Sequence, residues 1–433
     1  MSKEKFEDIL ISKDGITKGP FGGDIKKEYF VPKGLNTYKV YEQSVVYNKD
    51  INYGNYYIDE ERFQKLKKFE IKEGDILITG AGTLGELYEV PHEFERGVIN
   101  QALIRIRLNE EKIYKPFFKY YFKWYLKNVV CRINGDSVIP NLPPISVLKA
   151  TDIDLPKIEI QIKVANCLDD IEKQISINEE LFEELRELEE EIFSFWFLQY
   201  EFPDENGNPY KLSGGAMVWN DVLNREIPKG WKVEELGERL TSSRGISYNS
   251  GNLEGDGIPM INLASFGTNG TYKDEGIKNY SGEYPQEKTL KPYDLVMCNT
   301  QQTAIDFEKD IIGKAFLVPD IFEGDIVHSH HVTKITVKNE DYKYYLCRLF
   351  DTQFFHKYIA GFTNGTNILG LDFSGVETYK TEIPDSGLLK KFAELSLDIE
   401  KKKNEIIKEN KELASLRDFL LPLLMNGQVT FKD

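Results

Sequence analysis

The chain repeats itself, and that limits what it can fold into more than any other feature. Stretches of the second half fall on stretches of the first in the same order, at an offset of roughly 219 to 230 residues. Phe69-Glu-Ile-Lys-Glu-Gly-Asp-Ile-Leu-Ile78 falls on Thr289-Leu-Lys-Pro-Tyr-Asp-Leu-Val-Met297, and Gly97-Val-Ile-Asn-Gln-Ala-Leu-Ile-Arg-Ile106 on Val327-His-Ser-His-His-Val-Thr-Lys-Ile-Thr336. Asn134-Gly-Asp-Ser-Val-Ile-Pro-Asn-Leu142 falls on Asn364-Gly-Thr-Asn-Ile-Leu-Gly-Leu371, and Asp170-Ile-Glu-Lys173 on Asp398-Ile-Glu-Lys401. One structural plan used twice is the expectation.

Each half opens with short alternating runs between Gly, Pro and Asn turns, such as Gly97–Leu108 and His330–Lys338, which read as half-buried strands. Each half then turns helical. Apolar residues recur three and four apart at Ile171, Ile175, Leu181, Leu185, Leu188, Ile192 and Phe195, then at Ile399, Ile406, Leu413, Leu416, Leu420 and Leu423. Polar Asn178 and Asn410 interrupt the two seams where register can be set. An amphipathic helix of about 35 residues must bury its stripe, and the other helix is the natural partner. A two-fold repeat makes that pair antiparallel, which brings the acidic run Glu183–Glu191 near Lys401–Lys403 as exposed edge pairs.

The expected fold is therefore α+β: two mixed α/β domains separated by an antiparallel coiled coil of two long helices, with a pseudo-two-fold repeat. The first module is placed at 1–152, the first long helix at 153–200 and a polar, turn-rich linker at 201–228. The second module is placed at 229–384, and the second long helix with its tail at 385–433.

A net charge of −16 argues against a phosphate-binding surface until its distribution is considered. Residues 1–150 carry +3, 151–230 carry −12, 231–384 carry −7 and 385–433 are neutral. Most of the acid thus lies on the first long helix, although the second module stays acidic. Cys131, Cys167, Cys298 and Cys347 form no C-x-x-C pair, which suits a reducing cytoplasm, and no apolar run reaches the length of a membrane span.

Catalytic motifs do not survive inspection. Gly80-Ala-Gly-Thr-Leu-Gly85 has the spacing of a dinucleotide loop, but such a site needs a helix to start there. Here Glu86–Val90 continues extended into Pro91. His328 and His330 share a strand face with no further ligand nearby, which does not make a metal set. No nucleophile, Walker loop or paired carboxylates emerge.

Several stretches carry a family likeness. They are Lys18-Gly-Pro-Phe-Gly-Gly23, Gly74-Asp-Ile-Leu77, Ile153-Asp-Leu-Pro156, Ile227-Pro-Lys-Gly-Trp-Lys-Val-Glu-Glu-Leu-Gly237 and Leu420-Leu-Pro-Leu-Leu-Met-Asn-Gly-Gln-Val429. In that order, over essentially the whole chain, the sequence resembles the specificity subunit of type I restriction-modification enzymes. The resemblance implies two target-recognition domains, each reading half of a split, asymmetric site in double-stranded DNA. It implies long helices that act as a ruler and dock two methyltransferase subunits. Those partners bind S-adenosylmethionine and methylate adenine N6, with motor-nuclease subunits completing the complex. The chain itself would bind no cofactor and catalyse nothing. The second module departs from the pattern where Lys291-Pro-Tyr-Asp294 replaces the Gly-Asp turn and Gly370 stands in place of Asn141.

Base reading needs side chains that pair with the major-groove edge. The first-module candidates are Lys18, Lys26, Lys27, Thr79, Thr83, Asn100, Gln101 and Arg105. Those of the second are Arg244, Asn299, Gln301, Gln302, Thr303, His330 and His331. The Asn299–Thr303 run is favoured because five polar groups after an apolar strand have no place in a core. The rival reading is a coiled-coil scaffold joining two protein-binding modules, and it predicts no salt-sensitive DNA binding. A complete methyltransferase would instead bind S-adenosylmethionine alone, and no loop for it is present.

Overall fold

The computed structural model describes residues 2–80, 85–126, 144–302, 309–429 and 431, without the Gln302 side chain. The chain divides into two compact units, one of residues 1–175 and 412–433, the other of residues 176–411. None of the described helices is long and apolar enough to cross a membrane.

The repeat in the sequence is a repeat in topology. In the first unit, strands Ile16–Lys18, Leu103–Ile106, Ile76–Thr79 and Leu87–Glu89 form an antiparallel sheet in that spatial order. In the second, Leu240–Arg244, Val332–Val337, Leu295–Cys298 and Ala315–Leu317 do the same. Beside each lies a mixed sheet. Thr37–Tyr41 pairs antiparallel with Tyr57–Asp59 and parallel with Gly97–Ile99, just as Ile258–Ile261 pairs with Lys278–Tyr280 and Ile326–His328. The pairings Ser2–Lys5 with Asp152–Leu155, and Lys232–Glu235 with Lys380–Ile383, complete the correspondence.

One turn shows how the fold overrides the residue. Gly74 has φ +75°, and at the matching place Tyr293 has φ +65°. A side chain there costs roughly 1–2 kcal/mol. The turn persists because the next carboxylate holds it: Asp75 accepts from the Lys72 amide, and Asp294 from the Lys291 amide, each at 2.7 Å. The sequence departure at Lys291–Asp294 is therefore the same turn.

In each unit an aromatic helix joins the sheet to the long helices. Lys115–Tyr125 buries Phe117, Phe118, Tyr121, Phe122 and Tyr125 against Val164, Ala165 and Leu168 of the first long helix and Leu424 and Met425 of the second. Tyr342–Asp351 buries Tyr342, Tyr345, Leu346 and Phe350 against Phe193 and Phe197, then Leu388, Leu389 and Phe392. Burying so many aromatics ties each sheet firmly to the long helices.

The long helices run Ile158–Phe193 and Ser386–Met425. They pair antiparallel. Within the first unit Glu172 meets Arg417 at 2.9 Å; within the second, Asn178 Nδ2 donates to Asn410 Oδ1 at 2.9 Å, and Glu189 meets Lys403 at 3.3 Å. The asparagine pair occupies the seam as the sequence indicates. The apolar register does not hold throughout: Leu181, Leu188 and Phe195 are exposed, whereas Asn178, Glu189 and Phe193 face inward. Asn178 and Glu189 lie eleven residues apart, three turns of about 3.67 residues, so the inward stripe here departs from a strict heptad.

The acidic and basic runs also meet differently from expected edge pairs. Glu189, Lys403, Glu400 and Arg348 are all buried in one cluster of the second unit. Burial pushes the Glu189 carboxyl up, but Arg348 and Lys403 outweigh it and hold it below the usual carboxylate range. The stretch 201–228 carries structure of its own. Strands Met217–Asn220 and Arg225–Pro228 form a hairpin, Arg225 bonds Glu382 at 2.7 Å, and Phe202 stacks between Tyr210 and Trp231.

Candidate nucleic-acid interface

The interface is built on a turn that recurs in both modules. In the first, the turn at Asn100-Gln101-Ala102 joins the mixed sheet to the antiparallel one. The Asn100 amide donates to the Tyr41 carbonyl at 2.9 Å, its side chain accepts from the Ala102 amide at 3.0 Å, and Leu103 N–H closes the turn on the Asn100 carbonyl. In the second, Ser329-His330-His331 stands at the same place. Ser329 N–H donates to the Ile261 carbonyl at 2.9 Å, and Val332 N–H closes the turn on Ser329.

Glycine is required beside each turn. A Cβ on Gly19 would lie 1.7 Å from the Asn100 carbonyl oxygen, and one on Gly245 would lie 2.0 Å from that of His328. The residue before each glycine is basic, Lys18 or Arg244, and ends its strand exposed. Each module thus presents a basic side chain on the strand beside an outward-facing turn. Lys18 with Gln101, and Arg244 with His330 and His331, are the expected residues that the fold brings together.

Around the first turn, Lys27, Glu42, Tyr56, Asn100 and Gln101 line an open cavity of about 300 Å³. Gln101 is exposed, while Asn100 is largely committed to the turn. Lys26 is exposed and 3.4 Å from Glu28. Around the second turn, the His330 and His331 rings lie 3.9 Å apart, the Tyr248 ring lies 5.9 Å from His330, and Lys278 Nζ lies 5.8 Å from the Tyr248 ring. Lys288 Nζ donates to the Arg244 carbonyl at 2.6 Å. Burial, then the neighbouring His330 and Lys278, lowers the pKa of His331, so its imidazole is neutral near pH 7. Three cations therefore gather at this turn of an otherwise acidic module.

Other expected residues face inward. Arg105 is fully buried, ion-paired with Asp14 and bonded to the Lys68 carbonyl at 3.2 Å and to that of Glu70. Its alternation along the strand put it on the core side, where carboxylates and carbonyls compensate it. Thr79 is fully buried, and its hydroxyl accepts from the Glu86 amide. Asn299 is buried, donating to the His330 carbonyl at 3.2 Å and Thr333 Oγ1 at 2.8 Å. Gln301 accepts from the Ile311 amide. The polar run does have a place in a core after all, because it satisfies backbone groups that would otherwise be orphaned. Asn299 becomes a brace under the histidine turn.

Thr83, Thr303 and the Gln302 side chain lie outside the described residues. His328, considered beside His330 as a metal ligand, is fully buried with Nδ1–H donating to the Val332 carbonyl at 3.0 Å; burial lowers its pKa to about 4. After Gly85 the chain continues as strand Leu87–Glu89 rather than a helix. Sequence reasoning missed Tyr248 and Lys278. Both precede the histidine turn by fifty residues or more, and only strand pairing brings them to it.

Residues 23–187 match the family model described as a type I restriction modification DNA specificity domain. The chain is 26% identical over 420 residues to the type I restriction enzyme MjaIX specificity subunit of Methanocaldococcus jannaschii, covering 95% of this chain and 88% of that protein. The crystal structure of a type I restriction-modification S subunit from M. genitalium superposes with a TM-score of 0.51 at 17% identity, covering 100% of this chain and 96% of the other. That likeness supports the fold.

Proposed function

We infer, since this chain belongs to the family of type I restriction-modification specificity subunits, that it reads a bipartite DNA site with one half taken by each module. The observation that carries this reading is the repeated turn. One chain presents two heads of the same geometry and different chemistry, Lys18 with Gln101 and Arg244 with His330 and His331. An asymmetric site is what two unlike heads would select.

Two methyltransferase subunits would dock on the long helices and bring S-adenosylmethionine to adenine N6, and motor-nuclease subunits would join them. The chain would position these partners in the cytoplasm and contribute no reacting group or cofactor. Both long helices contribute residues to both units, and at 36 and 40 residues they are about 54 and 60 Å long. Successive major grooves on one face of DNA lie about 35 Å apart, a span that such helices can bridge.

The test is co-expression with the methyltransferase subunit and sequencing of N6-methyladenine. The expected product is a two-part motif with a fixed spacer; a contiguous motif, or none, overturns the reading. The net charge of −16 favours the scaffold alternative. Affinity of the complex for DNA that does not fall as salt rises would decide for that alternative.

A further inference from the structure

The histidine turn holds more order than phosphate contact requires. The His330 and His331 rings lie against each other, tilted by 41° at 3.9 Å, and among the described residues both Nδ1 atoms are buried with no hydrogen-bond partner. An N–H on a buried Nδ1 with no acceptor would be an orphaned donor. The donor of each ring is therefore placed on Nε2, the atom through which both rings meet a ligand. The backbone beneath is fixed at three points. His330 N–H donates to the Ile246 carbonyl at 2.8 Å, Asn299 Nδ2 to the His330 carbonyl at 3.2 Å, and Asn299 N–H to the His331 carbonyl at 3.0 Å. Tyr248 lies against His330, with Lys278 over the tyrosine ring. Two donors on a rigid turn make a paired probe.

Guanine alone presents two acceptors, N7 and O6, side by side in the major groove; adenine presents an acceptor beside a donor. Resting on the reading of this chain as a DNA reader, we propose that His330 and His331 act together as a donor–donor pair selecting a guanine in the half-site of the second module. The equivalent position in the first module is Gln101, whose single amide both donates and accepts and so matches adenine. The two heads thus differ in the kind of base they take. Tyr248 and Asn299 are positioning residues, one limiting ring rotation and the other holding the turn.

The experiment uses the full chain in complex with its methyltransferase subunits and duplexes carrying the mapped motif. Each guanine is replaced in turn by 7-deazaguanine, which lacks the N7 acceptor. The expected result is one guanine, in one half only, whose replacement weakens wild-type binding about 10-fold, the size of losing part of a paired base contact. The H330A/H331A chain should bind that duplex no worse than the unmodified one and keep its preference in the other half, which also shows that it is folded. If the variant loses all binding, H330Q and H331Q are tested singly on the same duplexes: reduced sensitivity to the 7-deazaguanine in either supports the assignment, and undiminished sensitivity in both overturns it. A bipartite motif without guanine, indifference to every 7-deazaguanine, or equal sensitivity in wild type and variant overturns the histidine assignment and leaves the two-module reading intact. Absence of any bipartite motif overturns both.

Discussion

Arg105 and Gln101 lie four residues apart and do opposite work. Arg105 is fully buried among Asp14, Asp75 and backbone carbonyls, whereas Gln101 faces solvent on its turn. Removing a buried charge from its partners costs about 3–5 kcal/mol. Arg105→Met should therefore destabilise the first module by that order in denaturant unfolding while leaving the base preference of any folded fraction intact. Gln101→Ala should leave unfolding unchanged and relax one base position in the methylation motif; a relaxed motif in R105M with normal stability would reverse these roles. His328 gives a pH signature. Its pKa is about 4 in the fold against 6.5 in the unfolded chain, so the unfolded state binds the extra proton between those values. Stability is complete above pH 6.5 and lost as pH falls toward 4, by up to about 3 kcal/mol. Replacing His328 with Gln should flatten unfolding free energy across that window, and an unchanged slope would remove this histidine as its cause. The sequence made these outer turns legible because their residue types suit base edges. It could not separate Gln101 from Arg105, since facing direction depends on strand register, nor reveal that Asn299 braces a turn thirty residues away.

At the scale of elements, the paired helices were the most readable part. Their polar interruption at Asn178 and Asn410 is a direct hydrogen bond in the seam. What the pattern could not show is that the seam accepts charge. Leu181 and Leu188 look like core positions, yet Glu189 takes the inward place because Lys403 and Arg348 neutralise it. Lys403→Met should cost about 3–5 kcal/mol at pH 8, where two buried carboxylates are left with one cation. Burial already raises the Glu400 pKa above its ordinary value, so the folded state favours its proton, and that stability is lost as pH rises. The K403M defect should accordingly shrink at pH 5. An equal loss of thermal stability at both pH values would show that Glu400 does not relieve the strain.

For the whole molecule, the ruler reading has a mechanical consequence. Deleting two heptads from each long helix in register removes about 21 Å of rise. The methylated motif should then keep both half-sites and show a shorter spacer, or methylation should cease. An altered half-site sequence would mean that the helices themselves read bases. The repeated plan was legible in the sequence because strand order and turn chemistry follow local signals. Which apolar residues of the long helices stay exposed was not, because Leu181 and Leu188 carry the same apolar signature as buried ones.

The buried charge cluster also limits how such a chain can diversify. By the repeat, Lys403 corresponds to Ile175 and Glu400 to Glu172. A tandem duplicate of the first half would set Glu189 against a carboxylate with no ammonium between them. Shuffling is therefore tolerable when it exchanges one globular head for another and retains both rods. It costs stability when it copies a rod along with its head.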